Sequence, residues 1–142
     1  VRVRRPDTLA SPAVAGLFER AFRAVGCTSP PLELKGFLRG NIGRNEWGAF
    51  VGSEGGVPKA VVVALLPTSP FMLSPQIPLA YNEGSKALAR LLGVRVRKWI
   101  LDNGFNDALA INVRHSAAVF GRVFAHFGKP SRFAEMISFQ LR

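Results

Sequence analysis

Cysteine is nearly absent from this sequence. Cys27 stands alone, so no internal disulfide can staple the fold, and no Cys/His cluster surrounds it to hold a structural zinc ion. Long apolar runs are missing too. Hydrophobic residues make up 48% of the chain, yet no stretch approaches the roughly 20 uninterrupted apolar residues that span a bilayer. Acidic residues are scarce, 9 against 19 Lys and Arg, and Tyr81 is the only tyrosine. The two histidines, His115 and His126, lack the spacing and the carboxylate partners of a metal site. These absences exclude a disulfide scaffold, a zinc module and a membrane-spanning helix, and they set the expectation of a soluble protein in a reducing, cytoplasmic compartment. The basic start, Val1-Arg2-Val3-Arg4-Arg5, leads into Pro6-Asp7 rather than into the apolar block of a secretory signal, in line with that expectation.

What is present fits one domain. A chain of 142 residues can bury a core of several strands and helices but not two independent cores, so residues 1–142 are expected to form a single unit. Its formal charge of +10 draws in polyanions such as nucleic acid, acidic protein surfaces or phosphorylated cofactors, and also serves solubility. Charge alone does not choose among these.

The pattern of apolar residues gives the element order. Residues 1–5 alternate apolar and basic positions as a short strand does. Ser11 is a suitable N-cap and Pro12 a suitable first residue for a helix in which Val14, Leu17, Phe18, Ala21, Phe22 and Val25 share a face, with Gly26 as its stop. Pro30-Pro31 opens a second helix ending among Gly40, Asn41 and Gly43. Trp47–Gly52 and Lys59–Leu66 read as strands joined in a hairpin by Ser53-Glu54-Gly55-Gly56. Pro67, Pro70, Pro75 and Pro78 then break up a loop leading to an irregular or edge strand that ends near Tyr81. Residues 84–103 form the longest helix, with a basic stripe of Lys86, Arg90 and Arg97; Arg95 falls within its apolar arc and needs Glu83, Asp102 or the surface to receive its charge. A strand over Asp107–Val113, a helix capped by Ser116 and ended by Gly128, and an alternating strand over residues 133–141 complete the chain. Strand and helix alternate in the second half, so the expected class is α/β: a mixed, partly parallel sheet with helices on both faces.

That order, together with two local segments, resembles the GNAT superfamily of acyl-CoA-dependent N-acyltransferases over essentially the whole chain. One segment is Tyr81-Asn82-Glu83-Gly84-Ser85-Lys86-Ala87-Leu88, which looks like the family's cofactor loop: Gln or Arg, two residues, Gly, one residue, then Gly or Ala. Counting from Tyr81 keeps Gly84 but puts Lys86 last; counting from Asn82 gives Ser85 and then Ala87. The other segment, residues 112–128, looks like the family's last strand and helix.

The chemistry of the loop has its own logic. Small residues let the backbone approach a diphosphate, and the free N–H groups and dipole of a helix N-terminus hold the anion. Gly84, Ser85 and Ala87 supply the small residues and Lys86 a charge, although a glycine that merely begins a capped helix reads the same way. The resemblance implies that acetyl-CoA or another acyl-CoA lies along Leu79, Ala80 and Asn82, that a backbone N–H within residues 79–81 holds the thioester oxygen, and that the acyl group sits between this segment and residues 110–113. It further implies cofactor contacts from Ser116 and Phe124. The resembled enzymes place a tyrosine at the position of Phe124 to protonate the leaving thiolate; phenylalanine has no proton to give, so the general acid is not identified. Tyr81, Glu46 and His115 are the remaining candidates for proton transfer, while the plain readings of Glu46 and His115 are a solvated carboxylate and a polar neighbour of a helix cap.

The resemblance implies transfer of an acyl group from acyl-CoA to a primary amine of unidentified substrate. The superfamily has phage branches that modify DNA bases, so a phage or virion setting and a nucleic acid partner agree with the positive charge. The rival reading is a catalytically inactive GNAT fold that serves as a basic module on nucleic acid or on a protein assembly.

Overall fold

The computed structural model describes residues 2–6 and 11–110. Within them the elements are β1 (Arg2–Arg4), α1 (Pro12–Ala24), α2 (Pro31–Asn41), β2 (Trp47–Glu54), β3 (Val57–Leu65), β4 (Gln76–Asn82), α3 (Lys86–Asp102) and β5 (Leu109–Ala110). The expected strand over 107–113 is seen at Leu109 and Ala110; its remainder, the helix begun by Ser116 and the strand over 133–141 lie outside the described residues. Among the described residues no helix is long and apolar enough to cross a membrane.

The strands line up in chain order, β1-β2-β3-β4-β5, antiparallel from β1 to β4 and parallel between β4 and β5. This is the mixed, partly parallel sheet that the alternation of elements predicts. Val57–Leu65 is long and rich in β-branched residues because it is covered on both faces. Its Val61 and Val63 meet α1 in one core with Leu17, Phe18 and Leu38, while Val62, Ala60 and Ala64 meet Leu88, Leu92, Val96 and Ile100 of α3 in a second. The hairpin between β2 and β3 turns on Gly55 and Gly56, with φ of 58° and 79°, a pair of left-handed residues that only glycine adopts at little cost.

β4 is not an edge strand. It runs between β3 and β5, and three of the four prolines fall in the loop before it or at its threshold. Pro78 is inside β4, at a register shift: Leu65 faces Gln76 and Val63 faces Leu79, so Ile77 and Pro78 together stand opposite Ala64. Such a bulge interrupts the regular run of N–H donors to the neighbouring strand, and a residue without an N–H suits that place. The extra residue also reverses the alternation. Ile77 packs on the α3 side and Leu79, two residues on, packs on the α1 side.

The α3 face of β2 is built for close approach. A Cβ added at Gly48 would lie 2.7 Å from the ring of Trp99, and one added at Gly52 would lie 2.6 Å from Leu88. Arg95 lies outside the buried arc, which holds Leu88, Ala89, Leu92, Gly93, Val96 and Ile100, and its charge reaches the surface, one of the outcomes expected for it. Neither suggested acid receives it: Glu83 pairs with Arg20 and Asp102 with Lys98.

Two glycine substitutions should therefore move stability in opposite directions. Gly48→Ala forces the Trp99 ring to shift and should cost about 1–3 kcal/mol, seen as a melting temperature lower by at least about 3 °C. Gly36→Ala, inside α2 with nothing within 4 Å of the new methyl, should raise stability by about 0.5–1 kcal/mol.

Candidate functional site

The C-terminal end of β4 and the start of α3 gather most of the residues that the sequence singles out. Ser85 caps α3, its hydroxyl accepting from the Leu88 N–H at 3.2 Å. Asn82 folds the connecting turn on itself: its Oδ1 accepts from the Gly84 N–H at 2.8 Å and its Nδ2 donates to the Ser85 carbonyl at 3.1 Å. The Ser85 N–H donates to Glu54 Oε1 at 2.6 Å, a carboxylate from the tip of the β2–β3 hairpin. That bond holds the Glu54 carboxyl below its ordinary value. The amides of Lys86 and Ala87 begin the helix and have no residue four positions back within it to receive them, so they face outward with the dipole behind them. Both residues are exposed, as are Arg90 and Arg97, which extend the basic stripe away from this end.

Along β4 the backbone directions follow from the register. The Glu83 N–H donates to the Lys59 carbonyl at 2.7 Å, toward β3. Alternation then turns the amides of Tyr81 and Leu79 toward β3 as well, and sends those of Ala80 and Asn82 toward the β5 side. Of the Leu79–Tyr81 segment, Ala80 alone directs its N–H away from β3. β4 and β5 pair at Gln76 with Leu109 and at Ile77 with Ala110. Residues 111–113, where the other wall was expected, lie outside the described residues, as do His115, Ser116 and Phe124.

On the α1 side of the same strand end is a cluster that sequence reasoning missed. The Tyr81 hydroxyl donates to Glu83 Oε1 at 2.7 Å, and Arg20 of α1 approaches the same carboxylate with Nε at 2.5 Å and Nη2 at 3.2 Å. Hydrogen bonding from Arg20, then from Tyr81, holds the Glu83 carboxyl below its ordinary value. Burial, followed by the bond to Glu83, pushes the Tyr81 phenol up, so it stays protonated and acts as a donor. A shallow hollow of about 660 Å³ opens beside it, lined by Gly16, Glu19, Arg20, Arg23, Ala24 and Tyr81. The sequence could not signal Arg20, which meets Glu83 across 63 positions.

Glu46 is elsewhere. It precedes Trp47, which is level with Leu65 and Gln76 at the opposite end of the sheet, and it pairs with Arg44. Six strand positions, about 20 Å, separate that level from Asn82, so the structure does not bring Glu46 to Tyr81.

The Glu83 pair makes stability depend on pH. A carboxyl held low in the folded state adds stability above its unfolded value, near 4.5, which is lost as pH falls through the folded value. Because the Arg20 side chain is 51% exposed and that of Glu83 26%, solvent screens the pair. The expected gain is about 0.5–1 kcal/mol. Acid titration of the melting temperature should show the wild type losing this much more than Glu83→Gln below about pH 4.5; parallel curves would remove the pair from the stability balance.

No family model and no curated protein matches the sequence. Solved structures do. A predicted acetyltransferase from Clostridium acetobutylicum, solved with acetyl-CoA, superposes with a TM-score of 0.68 at 12% identity, over 96% of this chain and 95% of that one. An aminoglycoside acetyltransferase from an uncultured soil metagenomic sample, in complex with sisomicin, gives 0.65 at 15% identity, over 99% and 95%. A GCN5-related N-acetyltransferase from Ralstonia eutropha gives 0.57 at 16% identity, over 87% and 90%. Identities this low speak to architecture alone, and with a mixed sheet whose bulged β4 feeds directly into α3, the chain has the fold of the GNAT acetyltransferases.

Proposed function

We propose that the protein is an N-acyltransferase that moves an acetyl or other acyl group from acyl-CoA to a primary amine. The observation that carries this reading is the bulge at Ile77 and Pro78, which turns the Ala80 amide away from β3 just before the strand runs into the α3 N-terminus. The fold likeness to acetyltransferases, one of them solved with acetyl-CoA, supports it.

In this reading the CoA diphosphate lies at the start of α3, against the Lys86 and Ala87 amides, with the Lys86 ammonium adding charge. The pantetheine arm follows β4 past Asn82 and Ala80 toward Leu79. The thioester oxygen accepts from the Ala80 N–H, which stabilises the oxyanion formed as the amine adds to the carbonyl carbon. Collapse of that adduct would break the C–S bond as the nitrogen gives its extra proton to solvent, leaving the amide and a CoA thiolate that takes up a proton in turn. Tyr81, protonated and held by Glu83 at this end of β4, is the candidate to give the thiolate its proton. The amine approaches from the hollow beside α1, where Glu19 supplies a carboxylate for its ammonium form, which gives up a proton to solvent before it attacks. The positive surface favours an amine carried on a polyanion, nucleic acid included.

Acetyl-CoA at 100 times its dissociation constant should stabilise the fold by about 2.7 kcal/mol, read as a rise in melting temperature. Lys86→Glu should weaken that binding. Tyr81→Phe should leave binding intact and lower the rate of acetyl transfer to a test amine about 100-fold. No thermal shift with acetyl-CoA would reject the acyl-transfer reading in favour of a binding module, and an unchanged rate in Tyr81→Phe would remove Tyr81 from proton transfer.

A further inference from the structure

The anion seat at the start of α3 is partly taken by the protein itself. Helix N-termini are commonly satisfied by acids of their own first turn, but α3 has none there, and its N-cap Ser85 already serves the Leu88 amide. The carboxylate in place comes instead from Glu54, 31 positions earlier, at the end of β2. One hydrogen bond holds it there, and it lies over Gly84. The Ser85 N–H donates to its Oε1 at 2.6 Å, and a Cβ added at Gly84 would lie 2.6 Å from that same oxygen and 3.2 Å from the carboxyl carbon. The small residue that the sequence offers for close approach of a diphosphate is thus covered by a carboxylate.

From this contact we infer that Glu54 is an intramolecular competitor for the CoA diphosphate, which must displace the Glu54 carboxylate from Gly84 and Ser85 to seat fully on the α3 N-terminus. The inference rests on the acyl-CoA reading above and concerns how tightly that site takes its ligand. Two anions cannot share the Ser85 amide and the space over Gly84, since both would need the same N–H and would repel each other at contact distance. Glu54 can leave readily. It is partly exposed, it is the last residue of β2 before the Gly55-Gly56 turn, and the positive charge of Lys59 acts on it from the same hairpin. Once it swings away, the Ser85 amide joins those of Lys86 and Ala87, and the seat grows from two donors to three. Ligands without a diphosphate have no reason to evict it, so the contact favours neither free pantetheine compounds nor weakly charged mimics; it sets a threshold that only a strong anion crosses.

The test is calorimetric titration of the full chain with acetyl-CoA and, separately, with S-acetylpantetheine, which carries the thioester arm but no diphosphate. Glu54→Gln keeps an oxygen able to accept from Ser85 while removing the charge, so the fold is expected to survive, with melting temperature as the check. The expected result is acetyl-CoA binding tightened about fivefold in Glu54→Gln with S-acetylpantetheine unchanged. Glu54→Asp, which keeps the charge but withdraws it by one methylene, should give a smaller gain and covers the case in which Glu54→Gln does not fold. Acetyl-CoA affinity equal to that of the wild type in the folded variants overturns the proposal while leaving the acyl-CoA reading standing. An equal gain for both ligands also overturns it, since that would reflect a loosened site and not a freed anion seat. Loss of acetyl-CoA binding in wild type and variants alike would overturn both readings.

Discussion

One extra residue in β4 governs the rest of the molecule. Side chains along a strand alternate strictly, so without the bulge opposite Ala64 the residues after it would exchange faces, sending Leu79 and Tyr81 toward α3 and Ala80 toward α1. Leu79 would then crowd a layer that β2 and α3 keep thin with Gly48, Gly52, Ala89 and Gly93, and the α1 layer would lose the side chain that closes it. Pro78 makes the irregularity inexpensive, because a bulged position has a ladder bond to lose and proline has no N–H to lose it with. The same step places the Tyr81 ring on the α1 side, within reach of Glu83 and Arg20, and aims the Ala80 amide away from β3.

How much of this could be read in advance depends on the range over which each feature is determined. The helices α1 and α3 were legible because their signals are local: Ser11-Pro12 stands just before α1, and both helices carry apolar residues spaced three and four apart, although the cap of α3 at Ser85 was not read in advance. The hairpin was legible for the same reason, its two glycines being required by the turn. β4 was only half legible. Its prolines announce irregularity, but whether Pro78 breaks a strand or sits in a bulge is decided by the partner strand β3, whose register is not encoded nearby. Arg95 shows the limit of counting turns: which arc of α3 is buried is chosen by the small residues Ala89 and Gly93, which permit close packing but carry little weight in an apolar pattern. The Glu54 contact and the Arg20–Glu83 pair join positions 31 and 63 apart, and only the assembled sheet brings them together.

The distribution of carboxylates adds an electrostatic theme. Acids are few in this chain, yet two of them, Glu54 and Glu83, stand on either side of the β4–α3 junction, one engaging a backbone amide and the other a guanidinium and a phenol. Both are held ionised below the usual range by those bonds. The junction is therefore less positive than the chain's overall charge suggests, and the local field there is shaped by bonds that can be exchanged. An incoming anion meets donors already in use, and an incoming ammonium ion meets acceptors already oriented.

The stacking around Trp99 bears on how the first strand is kept in place. β1 contributes three residue pairs to the sheet, all with β2, and the Arg5 guanidinium that follows it lies 5.1 Å from the Trp99 ring centre and 5.6 Å from that of Phe50 while donating to the Trp47 carbonyl at 3.2 Å. A strand this short is weakly fastened by its ladder, so the cation held over two rings acts as its anchor. Since Trp99 belongs to α3, detachment of the first strand would strip a positive charge from an indole on the opposite layer, and that indole's emission becomes a local gauge of whether the sheet's edge is closed.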